Sequence, residues 1–205
     1  GIHQDRFKNI KIDVAAITNI SHDHLDYHKS FDEYVNTKIS LLTKSLNSNG
    51  VAVLNSHLKK YKIIEKKLKN KKIKMITYGS KDVFFIIKDN LYLKIFGKKY
   101  KLDKLKLENK IQKENLECAI ACALAMKINP NKIINCLSIL KPVPGRFETI
   151  NFKKKKSKII IDYAHTPDAL ENILKNFSYD KFKPSLVFGC GGDRDKLKRR
   201  KMGLV

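Results

Sequence analysis

Residues 14–28 run Val-Ala-Ala-Ile-Thr-Asn-Ile-Ser-His-Asp-His-Leu-Asp-Tyr-His, an apolar run followed directly by a polar loop rich in histidine. The apolar run over residues 14–18 predicts a buried strand. After the loop, Ser30 and Glu33 have the spacing of a capping box, which predicts a helix that continues to about Leu46 and ends at Asn49-Gly50. This order of strand, loop and helix is the repeating unit of an α/β sheet.

The same alternation continues along the rest of the chain. Further strands are predicted at residues 51–54, 74–78, 83–88 and 91–96, with the last two forming a hairpin through Asp89-Asn90. Helices are predicted at residues 57–69, 114–126 and 131–140. Beyond a proline-containing linker we expect a strand at 159–162, a helix at 166–176, a strand at 185–188 and a basic helix. The pattern predicts a doubly wound, mainly parallel sheet, in which ligands bind beyond the carboxyl ends of the strands.

The composition limits the classes of protein to which the chain can belong. Its formal charge of +23 suggests nucleic acid, but lysine is spread along most of the sequence rather than concentrated on one element, which is typical of solvated surfaces. No apolar run approaches the roughly 18 residues of a membrane span. The four cysteines form no Cys-x-x-Cys pair, and Cys118 and Cys122 share one helical face, as buried free thiols in a reducing cytoplasm would.

The histidine-rich loop admits two interpretations from spacing alone. In an extended loop, the imidazoles and one carboxylate at positions 22, 24, 26 and 28 would face one side and could bind a transition metal. The alternative is a polar loop whose imidazoles cap neighbouring backbone groups. Spacing does not decide between them.

The residues that follow this loop bring a resemblance to a known family. The run Asp-His-Leu-Asp-Tyr-His at 23–28, with Lys38 fourteen residues after His24, resembles the central-domain signature of the Mur ligases, especially the member that adds the third amino acid. The resemblance implies that His24 helps to hold Mg²⁺ and that Lys38 carries a carbamate, which converts an amine into an anionic oxygen ligand suited to that ion. Without it, Lys38 would be one solvated helix lysine among many.

Three further segments extend the resemblance into the nucleotide and substrate sites. Gln4 and Arg6 match family residues that bind the muramoyl-peptide substrate; otherwise they would be a polar turn. Pro-Val-Pro-Gly-Arg-Phe-Glu at 142–148 resembles the family's domain junction, which implies a nucleotide contact for Arg146 rather than a plain linker arginine. Asn115 matches an asparagine near the nucleotide, although the usual Phe-Asn pair before it is Ile-Gln at 111–112, which departs from the pattern.

The last two motifs lie after the junction. Asp-Tyr-Ala-His-Thr-Pro at 162–167 is a well-formed strand-to-helix turn and nearly matches a family segment beside ATP, which implies roles there for Asp162 and His165. Gly-Cys-Gly-Gly-Asp-Arg-Asp-Lys at 189–196 is only a partial dinucleotide fingerprint, because Arg194 replaces its third glycine. As a family segment it implies that Arg194 contacts the incoming amino acid, with pairing to Asp193 or Asp195 as the alternative.

Taken together, the resemblance implies an internal piece of an ATP-dependent amide ligase of peptidoglycan synthesis. We expect residues 1–142 to be the C-terminal part of the central ATPase domain and residues 143–205 the N-terminal part of a Rossmann-like, amino-acid-binding C-terminal domain. The substrates implied are ATP, UDP-N-acetylmuramoyl-L-alanyl-D-glutamate and meso-diaminopimelate, with Mg²⁺ as cofactor and no nucleic acid or membrane partner. The alternatives are an L-lysine-adding member, a folylpolyglutamate synthetase-like ligase and a basic nucleic-acid-binding module. Since residues 1–205 contain no phosphate-binding loop, we expect this piece alone to be inactive.

Overall fold

The computed structural model describes residues 2, 6, 9–20, 30–79, 92–102, 107, 109–152, 157–177, 184–190 and 196–205. The described residues up to Leu140 form one compact unit, and those from Lys141 onward form another. None of the helices in this described part of the chain has the length and apolarity that a bilayer crossing requires.

The first unit is built on a parallel sheet. Its three strands lie in the order β1 (Ile12–Ile17), β2 (Leu46–Asn55) and β3 (Lys74–Tyr78). Helix α1 (Phe31–Ser40), extended by a π-helical turn at Leu41–Ser45, connects β1 to β2, and α2 (Tyr61–Asn70) connects β2 to β3. Parallel neighbours need such crossover connections, and the predicted alternation of strands and helices is confirmed.

Both faces of this sheet are covered. On β2, Val53 packs in a core with residues of α3 (Lys110–Ala125) and α4 (Pro130–Leu137). Its neighbours Ala52 and Leu54 belong to a second core with residues of α1 and α2. Successive side chains of a strand point to opposite faces, so helices lie on both sides of the sheet. The doubly wound arrangement predicted for this part of the chain is therefore confirmed.

The segment between α1 and β2 differs from the structure predicted for it. The Ser30 cap is confirmed, since its Oγ accepts a hydrogen bond from the Glu33 backbone N–H at 3.1 Å. However, Asn49-Gly50 does not end the helix, because β2 has already begun at Leu46. The register jumps from the pair Ile12–Leu46 to the pair Val14–Val51, so residues 47–50 form an irregularity inside the strand. A glycine and an asparagine are compatible with such a bulge as well as with a turn.

A short hairpin follows the parallel sheet. Strands β4 (Tyr92–Ile95) and β5 (Lys98–Lys101) pair antiparallel through Phe96 and Gly97, both with positive φ, at 46° and 83°. Such a two-residue turn suits the twist of a hairpin. The partner predicted for residues 91–96 was the segment 83–88, which lies outside the described residues. The strand β5 was not predicted, because its lysines interrupt the apolar pattern of a strand, although Gly97 before it indicates a turn.

The second unit begins with an antiparallel pair, β6 (Glu148–Phe152) and β7 (Ser157–Ile161). Helix α5 (Pro167–Leu174) follows, continued by a 3₁₀ turn at Lys175–Phe177, and α6 (Lys196–Leu204) is the last of the described helices. The strand predicted at 185–188 is wrong: these residues pair with no described strand, and Val187 is 97% exposed. An apolar run forms a strand only where a neighbour accepts its backbone hydrogen bonds.

Candidate functional site

Lys38 is held against the carboxyl end of strand β1. Its Nζ donates a hydrogen bond to the Asn19 carbonyl oxygen at 3.1 Å and lies 4.8 Å from the centre of the Tyr34 ring. Tyr34 is buried on α1, so its ring gives the lysine amine a fixed aromatic neighbour. The histidine-rich loop begins at Asn19, three residues before His22, so the fold brings the amine to the backbone at the start of that loop. His24 itself lies outside the described residues.

Asn55 ties the ends of two strands together beside this contact. Its Nδ2 donates to the Thr18 carbonyl at 3.3 Å, and its Oδ1 accepts from the His57 backbone N–H at 2.9 Å. A Cβ on Gly79, at the end of β3, would lie 2.9 Å from the same Oδ1, so this position requires glycine. Asn55 is 5% exposed, and both polar atoms of its side chain make a hydrogen bond. It was not singled out from the sequence, although an asparagine ending an apolar strand is a usable signal.

The side chains around Lys38 can be compared with the ligands that Mg²⁺ prefers, which are oxygen atoms. In the described part of the chain, no three His, Cys, Asp or Glu side chains converge in a way that could hold a metal ion. The amine of Lys38 is not itself a suitable ligand. A carbamate on that amine would supply oxygen donors, so the residues fit Mg²⁺ only with Lys38 modified and the loop of His24 included.

Helix α3 presents a different pair of polar residues beside the sheet. Asn115 is exposed on its second turn, where a nucleotide could reach it. Glu117 is 7% exposed, and burial, followed by the nearby charge of Glu114, raises the pKa of its carboxyl to about 7. A hydrogen bond from the Gly79 backbone and the charge of Lys113 act in the opposite direction. Glu117 could not be singled out from the sequence, because a glutamate in a helix is usually solvated.

Glu117 should make the stability of the protein depend on pH. Its pKa is about 7 in the folded state against 4.5 for the ordinary group, so between these values the folded protein holds a proton that the unfolded chain has released. Stability is therefore lost as the pH rises from about 4.5 to 7, by about 3 kcal/mol in total. Denaturant unfolding of the wild type and Glu117→Gln across this range measures the effect.

The control is Glu65→Gln, which removes a carboxylate paired with Lys69 at 3.0 Å on the surface of α2. The free energy of unfolding of Glu117→Gln, relative to that of the wild type, should increase as the pH rises. The same difference for Glu65→Gln should change little with pH. A gap between Glu117→Gln and the wild type that does not change with pH would show that the buried carboxyl is not protonated in the folded state.

In the second unit, the sequence around Arg146 forms a tight turn. Gly145 and Phe147, on either side of Arg146, have positive φ values of 67° and 54°. The Gly145 N–H donates to Glu148 Oε2 at 2.8 Å, and the Phe147 N–H donates to Asp162 Oδ2 at 2.8 Å. Glycine adopts the left-handed conformation without strain, whereas phenylalanine does so at a cost that the Asp162 contact offsets.

Asp162 is the centre of this turn. Its Oδ1 accepts a second backbone hydrogen bond, from the Ala164 N–H at 2.8 Å. The Thr166 side chain caps α5 by accepting from the Ala169 N–H at 3.2 Å, as predicted. His165 is exposed just before this cap, with Nδ1 3.2 Å from the Tyr163 carbonyl oxygen. The structure therefore shows Asp162 holding the junction turn, and its contact with ATP stays a prediction.

Removing the Asp162 carboxylate should loosen the junction. Asp162→Ala leaves the Phe147 and Ala164 amides without their acceptor, which we expect to cost about 1–3 kcal/mol. Hydrogen exchange followed by mass spectrometry should show faster exchange in peptides covering both amides. Glu171→Ala is the control, because Glu171 pairs only with surface Lys175 at 2.7 Å among the contacts described. Equal protection in Asp162→Ala and the wild type would contradict the role assigned to Asp162.

The remaining candidate residues are less constrained. Arg6 is exposed in a turn before β1. Gln4 and Arg194, like His24, lie outside the described residues. The described candidates thus fall into two groups, one in each unit: Arg6, Lys38 and Asn115 in the first, and Arg146, Asp162 and His165 in the second.

Comparison with known proteins identifies the family that the sequence motifs resemble. The Mur ligase middle domain matches residues 1–126, and the Mur ligase glutamate ligase domain matches residues 145–205. A UDP-N-acetylmuramoyl-L-alanyl-D-glutamate–2,6-diaminopimelate ligase of Rickettsia bellii is 39% identical over 215 residues, which cover 100% of this chain and 44% of that protein. The chain thus spans less than half the length of this curated relative.

Solved structures resemble the chain as well. A UDP-N-acetylmuramoyl-L-alanyl-D-glutamate–2,6-diaminopimelate ligase is 28% identical with a TM-score of 0.66, over 100% of this chain and 43% of that one. The MurF ligase of Thermotoga maritima in complex with ADP is 19% identical with a TM-score of 0.60, over 82% of this chain and 39% of that one. The second likeness concerns the fold alone.

Proposed function

Because the chain belongs to the Mur ligase family, we propose that the protein containing it is an ATP-dependent ligase that adds meso-diaminopimelate to UDP-N-acetylmuramoyl-L-alanyl-D-glutamate. The observation that carries the proposal is the placement of Lys38, whose amine contacts the backbone at Asn19, where the histidine-rich loop begins. The name of the Rickettsia bellii relative supports the same substrates. ATP and a UDP-linked substrate imply a cytoplasmic reaction.

The proposed reaction has two steps. A carboxylate oxygen of the substrate glutamate attacks the terminal phosphorus of ATP, and ADP leaves. The amine of diaminopimelate then attacks the acyl phosphate carbon, the C–O bond to phosphate breaks, and an amide forms as the ammonium proton is lost. Such transfers depend mainly on positioning and charge neutralisation, which is what the family's arginines and lysine provide.

We assign the residues as follows. Residues 1–142 belong to the central ATPase domain and residues 143–205 to the amino-acid-binding domain; the compact units on either side of Leu140 support this division. Asn115, Arg146, Asp162 and His165 lie near ATP, and Gln4 and Arg6 bind the muramoyl peptide. Arg194 receives the incoming amino acid. When bound by His24 and carbamylated Lys38, Mg²⁺ would neutralise phosphate charge.

An assay of ADP release tests this function. With ATP, magnesium and the UDP-linked dipeptide present, the whole protein should release ADP when meso-diaminopimelate is added. Stronger release with L-lysine would favour the lysine-adding alternative, and release with a folate and glutamate would favour the folate ligase. A salt-dependent titration with DNA addresses the remaining alternative, because tight binding that weakens steeply with salt is typical of a nucleic-acid module. No ADP release with any of these substrates would refute the proposal.

A further inference from the structure

Tyr163 has no role in the assignments above, yet two candidate nucleotide-binding side chains converge on it. Its side chain is 64% exposed at the carboxyl end of β7. The Arg146 guanidinium carbon lies 4.8 Å from the ring centroid, within the range of a cation–π contact. The His165 ring meets the tyrosine edge-on, with centroids 5.3 Å apart and an angle of 68° between planes.

Contacts of the neighbouring residues hold the backbone of Tyr163 in place. Asp162 accepts a hydrogen bond from the Ala164 N–H, which closes the chain around residue 163. The Tyr163 carbonyl oxygen lies 3.2 Å from His165 Nδ1. The ring therefore projects from a braced turn rather than from a loose loop. A braced aromatic ring exposed to solvent can act as a platform for a neighbouring cation.

Contact with the Tyr163 ring restrains an arginine side chain that would otherwise be mobile. The Arg146 side chain is exposed and lies in a turn where neither neighbouring residue is part of a helix. A long arginine in that setting samples many rotamers, and ordering it at the moment of binding lowers affinity. Stacking on an aromatic face restrains the planar guanidinium while its N–H groups, which lie in its plane, can still donate to phosphate.

We propose that Tyr163 is a positioning residue of the nucleotide site, which acts by holding the Arg146 guanidinium in place to receive a phosphate group of ATP. The inference rests on the proposed ligase function and adds a residue to it. Tyr163 acts through Arg146 and makes no required contact of its own with the nucleotide. Its phenol hydroxyl is not needed for this role, whereas its ring is.

The test uses steady-state kinetics of the whole protein. Tyr163→Leu should raise the KM for ATP about two- to fivefold, the effect of an exposed cation–π contact, with kcat and the KM of the UDP-linked dipeptide unchanged. Tyr163→Phe keeps the ring and should match the wild type. In an Arg146→Gln background, Tyr163→Leu should have no additional effect. Phe96→Leu, which removes a 71% exposed ring from the β4–β5 turn, is the control and should leave the KM unchanged.

The outcomes separate this inference from the function on which it rests. An inactive wild-type protein would refute the ligase function and the inference with it. An active protein whose KM for ATP ignores Tyr163→Leu would refute the inference alone. The inference would also be refuted if Tyr163→Leu raised the KM for ATP equally in the Arg146→Gln background, because Tyr163 would then contact the nucleotide directly. If Tyr163→Leu does not fold, Tyr163→Phe still tests the inference. Because this variant keeps the ring, a rise in its KM for ATP equal to that of Arg146→Gln would overturn the inference.

Discussion

Lys38→Ala in the whole protein is expected to lower kcat about 10²–10³-fold, the usual cost of losing one electrostatic group of a catalytic site. The fold should persist, because alanine favours a helix and Lys38 is only half-buried, so the change in the free energy of unfolding should be about 1 kcal/mol or less. What is lost is the oxygen ligand that a carbamate on this amine would offer to Mg²⁺.

The control for this prediction is Lys44→Ala, which removes an exposed lysine from the π-helical turn that continues the same helix. It should retain full turnover. If the carbamate is the active form, bicarbonate should restore activity to carbamate-depleted wild type, and a small carboxylate should partly rescue Lys38→Ala. Normal turnover in Lys38→Ala would remove this residue from the mechanism.

Arg194→Ala is expected to lower kcat/KM for meso-diaminopimelate by roughly one to three orders of magnitude. This substrate differs from lysine by one carboxylate at the far end of its side chain, and a site that selects it needs a fixed cationic donor. Arginine suits that task, because its planar guanidinium makes two charge-assisted hydrogen bonds to one carboxylate. Losing such a contact in a partly desolvated site costs about 2–4 kcal/mol.

Specificity constants for meso-diaminopimelate, measured with ATP and the dipeptide saturating, test this expectation. Arg200→Ala removes an exposed guanidinium from α6 and should leave the constant unchanged. The alternative is that Arg194 pairs with Asp193 or Asp195 to hold the glycine-rich turn. A lower melting temperature with an unchanged diaminopimelate constant would support that alternative and leave L-lysine equally good as a substrate.

The sequence was most informative where local chemistry and tertiary packing agree. Ser30 and Thr166 each accept a backbone N–H three residues ahead, as their positions before Glu33 and Ala169 predicted. The strand at Lys74–Tyr78 was predicted with its observed limits because its apolar residues are bounded by lysines and a glycine. The helix end predicted at Asn49-Gly50 was wrong because pairing with β1, which local sequence does not reveal, places residues 46–55 in a strand.

The site was predictable only in part, for a related reason. Lys38 could be proposed from its distance to the histidine-rich loop, but its contact with the Asn19 carbonyl depends on how α1 packs against β1. The role of Asp162 as a clamp for Phe147 joins residues fifteen apart, which spacing does not predict. Glu117 became notable only once its burial was known, because burial and not residue type raises its pKa.

The most direct test of the account is the identity of the product. The whole protein is incubated with ATP, magnesium, UDP-N-acetylmuramoyl-L-alanyl-D-glutamate and an equal mixture of meso-diaminopimelate, L-lysine and L-glutamate, and the UDP-linked species is then weighed by mass spectrometry. The account predicts a mass increase equal to diaminopimelate less water, with one phosphate released for each amide formed. An unchanged mass, or an increase equal to lysine or glutamate less water, would contradict it.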